Sequence, residues 1–130
     1  MPHMIIEYTN NLADDIQIDD LLKKVNKILM AHPAIFPIGG IRSRAIEITH
    51  YCIADGSEDD AFVHATLKIG AGRTEDNKKM VCDQLFSMME THLAPLFSKR
   101  YVALSMELYE FNESGTYKKN NIHQRFKSQA

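Results

Sequence analysis

Ala61-Phe62-Val63-His64-Ala65-Thr66-Leu67-Lys68-Ile69, followed at once by Gly70-Ala71-Gly72-Arg73-Thr74, is the stretch whose reading decides the fold. Val63, Ala65, Leu67 and Ile69 face one way, the period-two pattern of a strand with a buried face. The glycines turn the chain. Thr74, with Glu75 and Asp76 behind it, then reads as a helix start, because a hydroxyl can cap the free N–H groups and carboxylates suit the positive end of the dipole. Val81, Leu85, Met88, Met89, His92 and Leu96 form the apolar stripe of that helix, and its methionines read as core packing. Tyr101 to Phe111 is a further strand, with Val102, Leu104, Met106 and Leu108 alternating against Ser105 and Glu107.

The same order of elements precedes this stretch. His3 to Tyr8 reads as a strand bounded by the polar Thr9-Asn10-Asn11. Ile18, Leu21, Leu22, Val25, Ile28 and Leu29 make one helical stripe, with Asp19 and Asp20 in the first turn. His32-Pro33 stops that helix, since a residue before proline is pushed out of the α region. Phe36-Pro37-Ile38-Gly39-Gly40 is a tight connection. Ile41 to Ile53 reads as a long strand that overhangs its own sheet, with Arg42, Arg44, Ile46 and Ile48 on one face. Ala54 to Asp60 is a turn and the mid-chain boundary.

The expected fold is therefore α+β: two consecutive βαβ units, about 2–53 and 61–111, forming one four-stranded sheet with both helices on one face. Each unit is a parallel crossover of right-handed sense. The two make a domain over 1–111, and a C-terminal arm follows over 112–130. The uncovered sheet face still carries apolar side chains, so it is expected to be buried against copies of the chain. The arm is polar and basic, with Ile122 and Phe126 four residues apart. It reads either as a short helix laid on a neighbour or as a frayed tail.

Composition narrows the function. The 130 residues suit one domain; 45% are apolar and 25% charged, which are globular values. A net charge of −2 leaves no basic footprint for nucleic acid. No apolar run approaches a membrane span, and no signal peptide precedes the first strand. Cys52 and Cys82 show no CxxC pattern and read as reduced thiols of a cytoplasmic protein. The histidines are scattered singly, without the spacing of a metal site.

Candidate chemistry gathers at three places. Gly70-Ala71-Gly72-Arg73 superficially resembles a dinucleotide loop, but Glu75 stands where the third glycine belongs and would repel a pyrophosphate. What remains is Arg73 at a helix N-terminus, either a carboxylate anchor or a solvated helix-start arginine. Arg42 and Arg44 follow the Gly-Gly turn on one strand face, either as a second cationic site or in salt bridges to Glu7 or Glu47. Finally, the chain opens Met1-Pro2-His3. Met is normally trimmed before a small second residue, and trimming would leave the Pro2 nitrogen as a free secondary amine at a sheet edge. Many Met-Pro starts carry no chemistry. Combined with two cationic sites, this one suits acid–base work on a di- or tricarboxylate.

Pro2, the paired βαβ units, the strand-end GIRSR, the run AFVHATLKIGAGR and the tail KKNNIH together resemble the 5-carboxymethyl-2-hydroxymuconate isomerase family. That family lies in the tautomerase superfamily, with 4-oxalocrotonate tautomerase and macrophage migration inhibitory factor. The resemblance covers nearly the whole chain. It implies a cytoplasmic homotrimer, without cofactor or metal, that shifts a double bond in a ring-cleavage product of homoprotocatechuate breakdown. It also implies Pro2 as catalytic base and Arg73 and Arg42 as binders of a small anionic, conjugated keto or enol acid. The halves are not equivalent. Asn10-Asn11 stands where the second half has Gly72-Arg73, and Ala61 is internal and has no free amine. One complete site per chain is expected, built from both halves and a neighbour.

Overall fold

The computed structural model describes residues 1–127; the last three residues of the arm, 128–130, lie outside the described residues. Four strands form one sheet: β1 (His3–Thr9), β2 (Arg42–Ile48), β3 (Ala61–Gly70) and β4 (Val102–Phe111). Their order is β2-β1-β3-β4. β1 runs parallel to β2 and β3 parallel to β4, while β1 and β3 meet antiparallel at the centre. The two βαβ units are thus joined back to back, as the α+β reading requires.

Helices α1 (Ile18–Met30) and α2 (Glu75–Phe97) pack together over one sheet face. Met4, Ile6 and Tyr8 of β1 and Val63, Ala65, Leu67 and Ile69 of β3 point into this layer, where Leu21, Val25 and Leu29 of α1 meet them. Thr74 caps α2 by accepting the Asn77 N–H at 3.1 Å. The α2 stripe differs from the reading at one position. It runs along the i, i+4 row Val81-Leu85-Met89-Leu93, so Leu93 is in the core and His92 sits at its margin. His92 donates from Nε2 to the Ile16 carbonyl at 2.7 Å, and its Nδ1 accepts from Lys24 Nζ at 2.9 Å.

β2 is shorter than expected. It ends at Ile48 because its partner β1 ends at Thr9, and beyond that pair no ladder is left to extend. The segment 49–60 is irregular and does not overhang the sheet. Tyr51 Oη donates to Asn10 Oδ1 at 3.0 Å, and positive φ at Ala54 and Gly56 turns the chain.

The uncovered sheet face is more charged than the alternation implied. Registered neighbours place Ile5, Ile46, Phe62 and Tyr109 there, among Glu7, Arg44, His64, Lys68 and Glu107. Val102, Leu104, Met106 and Leu108 pack toward the helices instead. No helix among the described residues is long and apolar enough to cross a membrane, and both cysteines are free.

The arm contains the short helix that one of the two readings expected, and within the single chain that helix lies on its own fold. From Asn112 it folds back onto its own chain, and α3 (His123–Lys127) packs on the 3-10 turn Ile38–Gly40. Asn120 Nδ2 donates to the Gly39 carbonyl at 2.8 Å. A Cβ on Gly39 would overlap the backbone and ring of His123. The Gly39-Gly40 pair therefore allows close approach by the arm.

Candidate active site

Sheet direction alone brings three separated pieces of chain to one end. β1 begins there, β2 begins beside it because the two are parallel, and β3 ends there because it is antiparallel to β1. In register, His3 lies between Arg42 and Lys68. Pro2, immediately before β1, is buried, and its carbonyl accepts the Arg42 N–H at 3.1 Å.

A cleft of about 360 Å³ opens at this end. It is lined by Met1, Pro37, Gly40 and Arg73 together with Glu113, Lys118, Asn120 and His123 of the arm. Met1 packs on Gly40, where an added Cβ would meet its side chain at 3.2 Å. A wider groove of about 650 Å³ between α1 and α2 sets Lys24 against Asp83 and the neutral Gln84. It lacks the excess of cations an anionic ligand needs.

Arg73 is not a solvated helix-start arginine. Its Nη1 donates to the Gly70 carbonyl at 2.8 Å and its Nη2 to the Ile35 carbonyl at 3.0 Å. The guanidinium also lies 5.3 Å from the Phe36 ring centroid, and its buried Nε has no hydrogen-bond partner. An arginine held this way keeps its charge in place before any ligand arrives, which lowers the ordering cost of binding.

Electrostatics at the cleft favour a neutral amine. The Met1 amino group is held below its ordinary value, first by burial and then by Arg73 and Lys118. Glu113 pulls in the opposite direction, and Arg42 adds a smaller push downward. Each cation disfavours a further positive charge on the nitrogen, so the same groups that attract an anion leave the amine free to take a proton. His3 is likewise lowered, by burial and then by Arg44 and Arg42.

Of the residues singled out by sequence, Arg73 lines the cleft, while Pro2 is buried directly behind the cleft-lining Met1. Arg42 does not line it within one chain. It is exposed on the open sheet face beside His3, and its charge alone reaches the amine. Arg44 lies further along that face, with Nη1 3.2 Å from His3 Nδ1. Lys118, His123, Asn120 and Glu113 also line the cleft and were not singled out from the sequence. Their visible signals were the tail KKNNIH and the paired glycines at 39 and 40, and neither says where the arm lies.

The opposite end of the sheet has no equivalent site. Ala61 N is an ordinary amide that donates to the Tyr101 carbonyl at 3.2 Å. The nearby Arg100 is spent on Asn11 and Asp59. Glu58, Asp59 and Asp60 also make that end acidic. Among the described residues, no group of three His, Cys, Asp or Glu side chains comes together to hold a metal ion.

Comparison with known proteins identifies the family. A family model described as 5-carboxymethyl-2-hydroxymuconate isomerase matches residues 2–126. The 5-carboxymethyl-2-hydroxymuconate Delta-isomerase of Escherichia coli is 42% identical over 127 residues, covering 98% of this chain and 100% of its own. The crystal structure of a 5-carboxymethyl-2-hydroxymuconate isomerase from Deinococcus radiodurans R1 superposes with a TM-score of 0.92 at 52% identity, over 96% of this chain and 93% of that one. A fused 4-OT, solved as a symmetric trimer, shares the fold at a TM-score of 0.68 and 16% identity, over 90% of this chain and 93% of that one. The chain belongs to the 5-carboxymethyl-2-hydroxymuconate isomerase family.

Proposed function

We propose that this chain is a 5-carboxymethyl-2-hydroxymuconate Δ-isomerase that works as a cofactor-free proton shuttle in homoprotocatechuate breakdown. One observation carries the mechanism: the N-terminal segment ends in a cleft where burial, and then Arg73 and Lys118, hold the Met1 amine below its ordinary pKa. With Met1 removed, the Pro2 nitrogen becomes a secondary amine at the same end of the sheet. Neutral Pro2 takes a proton from the substrate enol or carbon, leaving a dienolate, and returns it at the far end of the conjugated system. The enol O–H or the original C–H bond breaks, one C–H bond forms at the far carbon, the double bond moves, and no atom is gained or lost. Arg73 anchors a carboxylate and stabilises the charge that builds up on the dienolate. Arg42 is the second anchor, acting from the open sheet face.

The test is a substrate panel run on processed protein. Absorbance of the conjugated acid should report turnover of 5-carboxymethyl-2-hydroxymuconate at a kcat/KM well above that for phenylenolpyruvate or a haloacrylate. A reversed order would make the chain a tautomerase of another keto acid, or a dehalogenase. Turnover of none of these would leave a non-catalytic binding protein.

The working form in this reading is a cytoplasmic homotrimer. Exposed Ile46 and Tyr109 on the uncovered face support it, as does the trimeric state of the fused 4-OT relative. An obligate assembly needs a large interface, and three copies of such a face supply one. Sedimentation at micromolar concentration should return three times the chain mass; a stable monomer would rule the assembly out.

A further inference from the structure

We propose that Lys118 is a third cationic anchor of the cleft, and that it selects acids bearing three carboxylates over those bearing one or two. This inference rests on the reading of the cleft as an anion site and names a specificity residue within it.

Lys118 reaches the cleft because the arm is fixed on both sides of it. Before it, Asn112 accepts from Ser114 N at 3.1 Å through its side chain and from Thr116 Oγ1 at 2.9 Å through its carbonyl. After it, Asn120 is bonded to Gly39 and His123 rests on the same glycine. The backbone is held while the side chain stays half-exposed, an arrangement that serves a ligand better than it serves the fold.

Its ion-pair partner is Glu113, at 3.6 Å between Nζ and Oε2. That is beyond the roughly 2.7–2.9 Å of a well-formed charge-assisted hydrogen bond. Lys78 shows the contrast: it bridges Glu75 at 2.6 Å and Glu110 at 2.9 Å with its side chain only 11% exposed. Lys78 is tied into the structure, whereas Lys118 sits beside a carboxylate that another carboxylate can replace. Glu113 itself is pressed into the site, and a Cβ on Gly70 would strike its carboxylate. Without ligand, Glu113 partly neutralises the cleft, and an incoming anion exchanges for it at Lys118.

The count of charges gives the selectivity. A muconate carrying a carboxymethyl group has three carboxylates; the proposed function gives one to Arg73 in the cleft and one to Arg42, which reaches in from the open sheet face. In the cleft, Lys118 is the remaining side-chain cation that does not already hold backbone carbonyls. Its flexible ammonium suits a carboxylate on a rotatable methylene, where a rigid guanidinium fork is less adaptable.

Calorimetry on the processed full chain tests this with inert probes, propane-1,2,3-tricarboxylate and glutarate. Wild type should bind the tricarboxylate more tightly. Lys118→Ala should weaken it by about 10–100-fold, the size of one charge-assisted contact, and shift glutarate by no more than about twofold. Lys118→Arg should recover part of the loss. In turnover of 5-carboxymethyl-2-hydroxymuconate, KM should rise more than kcat falls. Because Lys118→Ala also leaves Glu113 unbalanced, the double variant Lys118→Ala/Glu113→Gln separates the two effects. A loss that persists in the double variant supports the anchor. Full recovery there, or equal weakening of both probes, overturns it. Discrimination that depends on Lys118 in a protein with no isomerase activity would keep the anchor and remove the reaction. Full activity with probe binding unmoved by Lys118→Ala would do the reverse.

Discussion

Protein that retains Met1 is expected to turn over substrate at least about 10²–10⁴-fold more slowly than protein from which Met1 has been removed, the contribution of a positioned general base. While Met1 is attached, the Pro2 nitrogen is a tertiary amide with no basic lone pair and no proton to exchange. The geometry adds a second obstacle, since Met1 lines the cleft and packs against Gly40 where substrate would have to enter. Removing it frees the nitrogen and widens the cleft together. The fold should not change, because the core around Met4, Ile6 and Tyr8 begins further along β1. Intact-mass spectrometry assigns the N-terminal state of each preparation, and the absorbance assay its rate. Equal turnover by a fully Met1-retaining sample would transfer the role of base to another group, the Met1 amine being the first candidate because it too is held below its usual pKa.

What the sequence made legible follows how local each determinant is. β3 and the start of α2 were readable because alternation and the Thr74 cap act within a few residues. The ends of the chain's other elements depend on partners distant in sequence. β2 stops where β1 stops, a fact about pairing that its own β-favouring residues from 49 to 53 cannot report. Leu93 was displaced from the expected stripe by His92, whose polar ring is tolerated at the core margin only because Ile16 and Lys24 satisfy both nitrogens.

The site divides in the same way. Pro2 and Arg73 were singled out from their chemistry, and the antiparallel β1–β3 pairing brings the start of one half and the loop of the other to the same end of the sheet. Lys118, Asn120 and His123 were not, because their position is set by contact with Gly39 far away in the chain. A polar tail with two apolar residues four apart carries no record of which surface it covers. Arg42 was correctly placed beside the Gly-Gly turn, yet a single chain leaves it on the open face.

Arg73→Ala should lower kcat/KM by about 10–100-fold, since one charge-assisted carboxylate contact contributes roughly 1.5–3 kcal/mol. Arg42→Ala should also lose activity, and Arg44→Ala less, as Arg44 is turned toward His3. Arg73 has a structural part as well. Its loss leaves the Gly70 and Ile35 carbonyls without their donors and removes the cation over Phe36, so Tm should fall with it. Arg73→Lys, which keeps the charge but not the two-pronged geometry, should lie between. The pH profile separates anchoring from mere support of the loop. The amine at the cleft is depressed first by burial and next by Arg73, and a cation lowers an amine's pKa by opposing its protonation. The Pro2 nitrogen, freed at the same end once Met1 is removed, should feel the same push, so removing Arg73 is expected to raise the pKa of the base. Only the unprotonated base is active, so the rising limb of kcat/KM should move to higher pH in Arg73→Ala and stay nearer its original position in Arg73→Lys. A rate loss with the limb unmoved in both variants would reduce Arg73 to a structural clamp and leave the tuning of the base to burial alone.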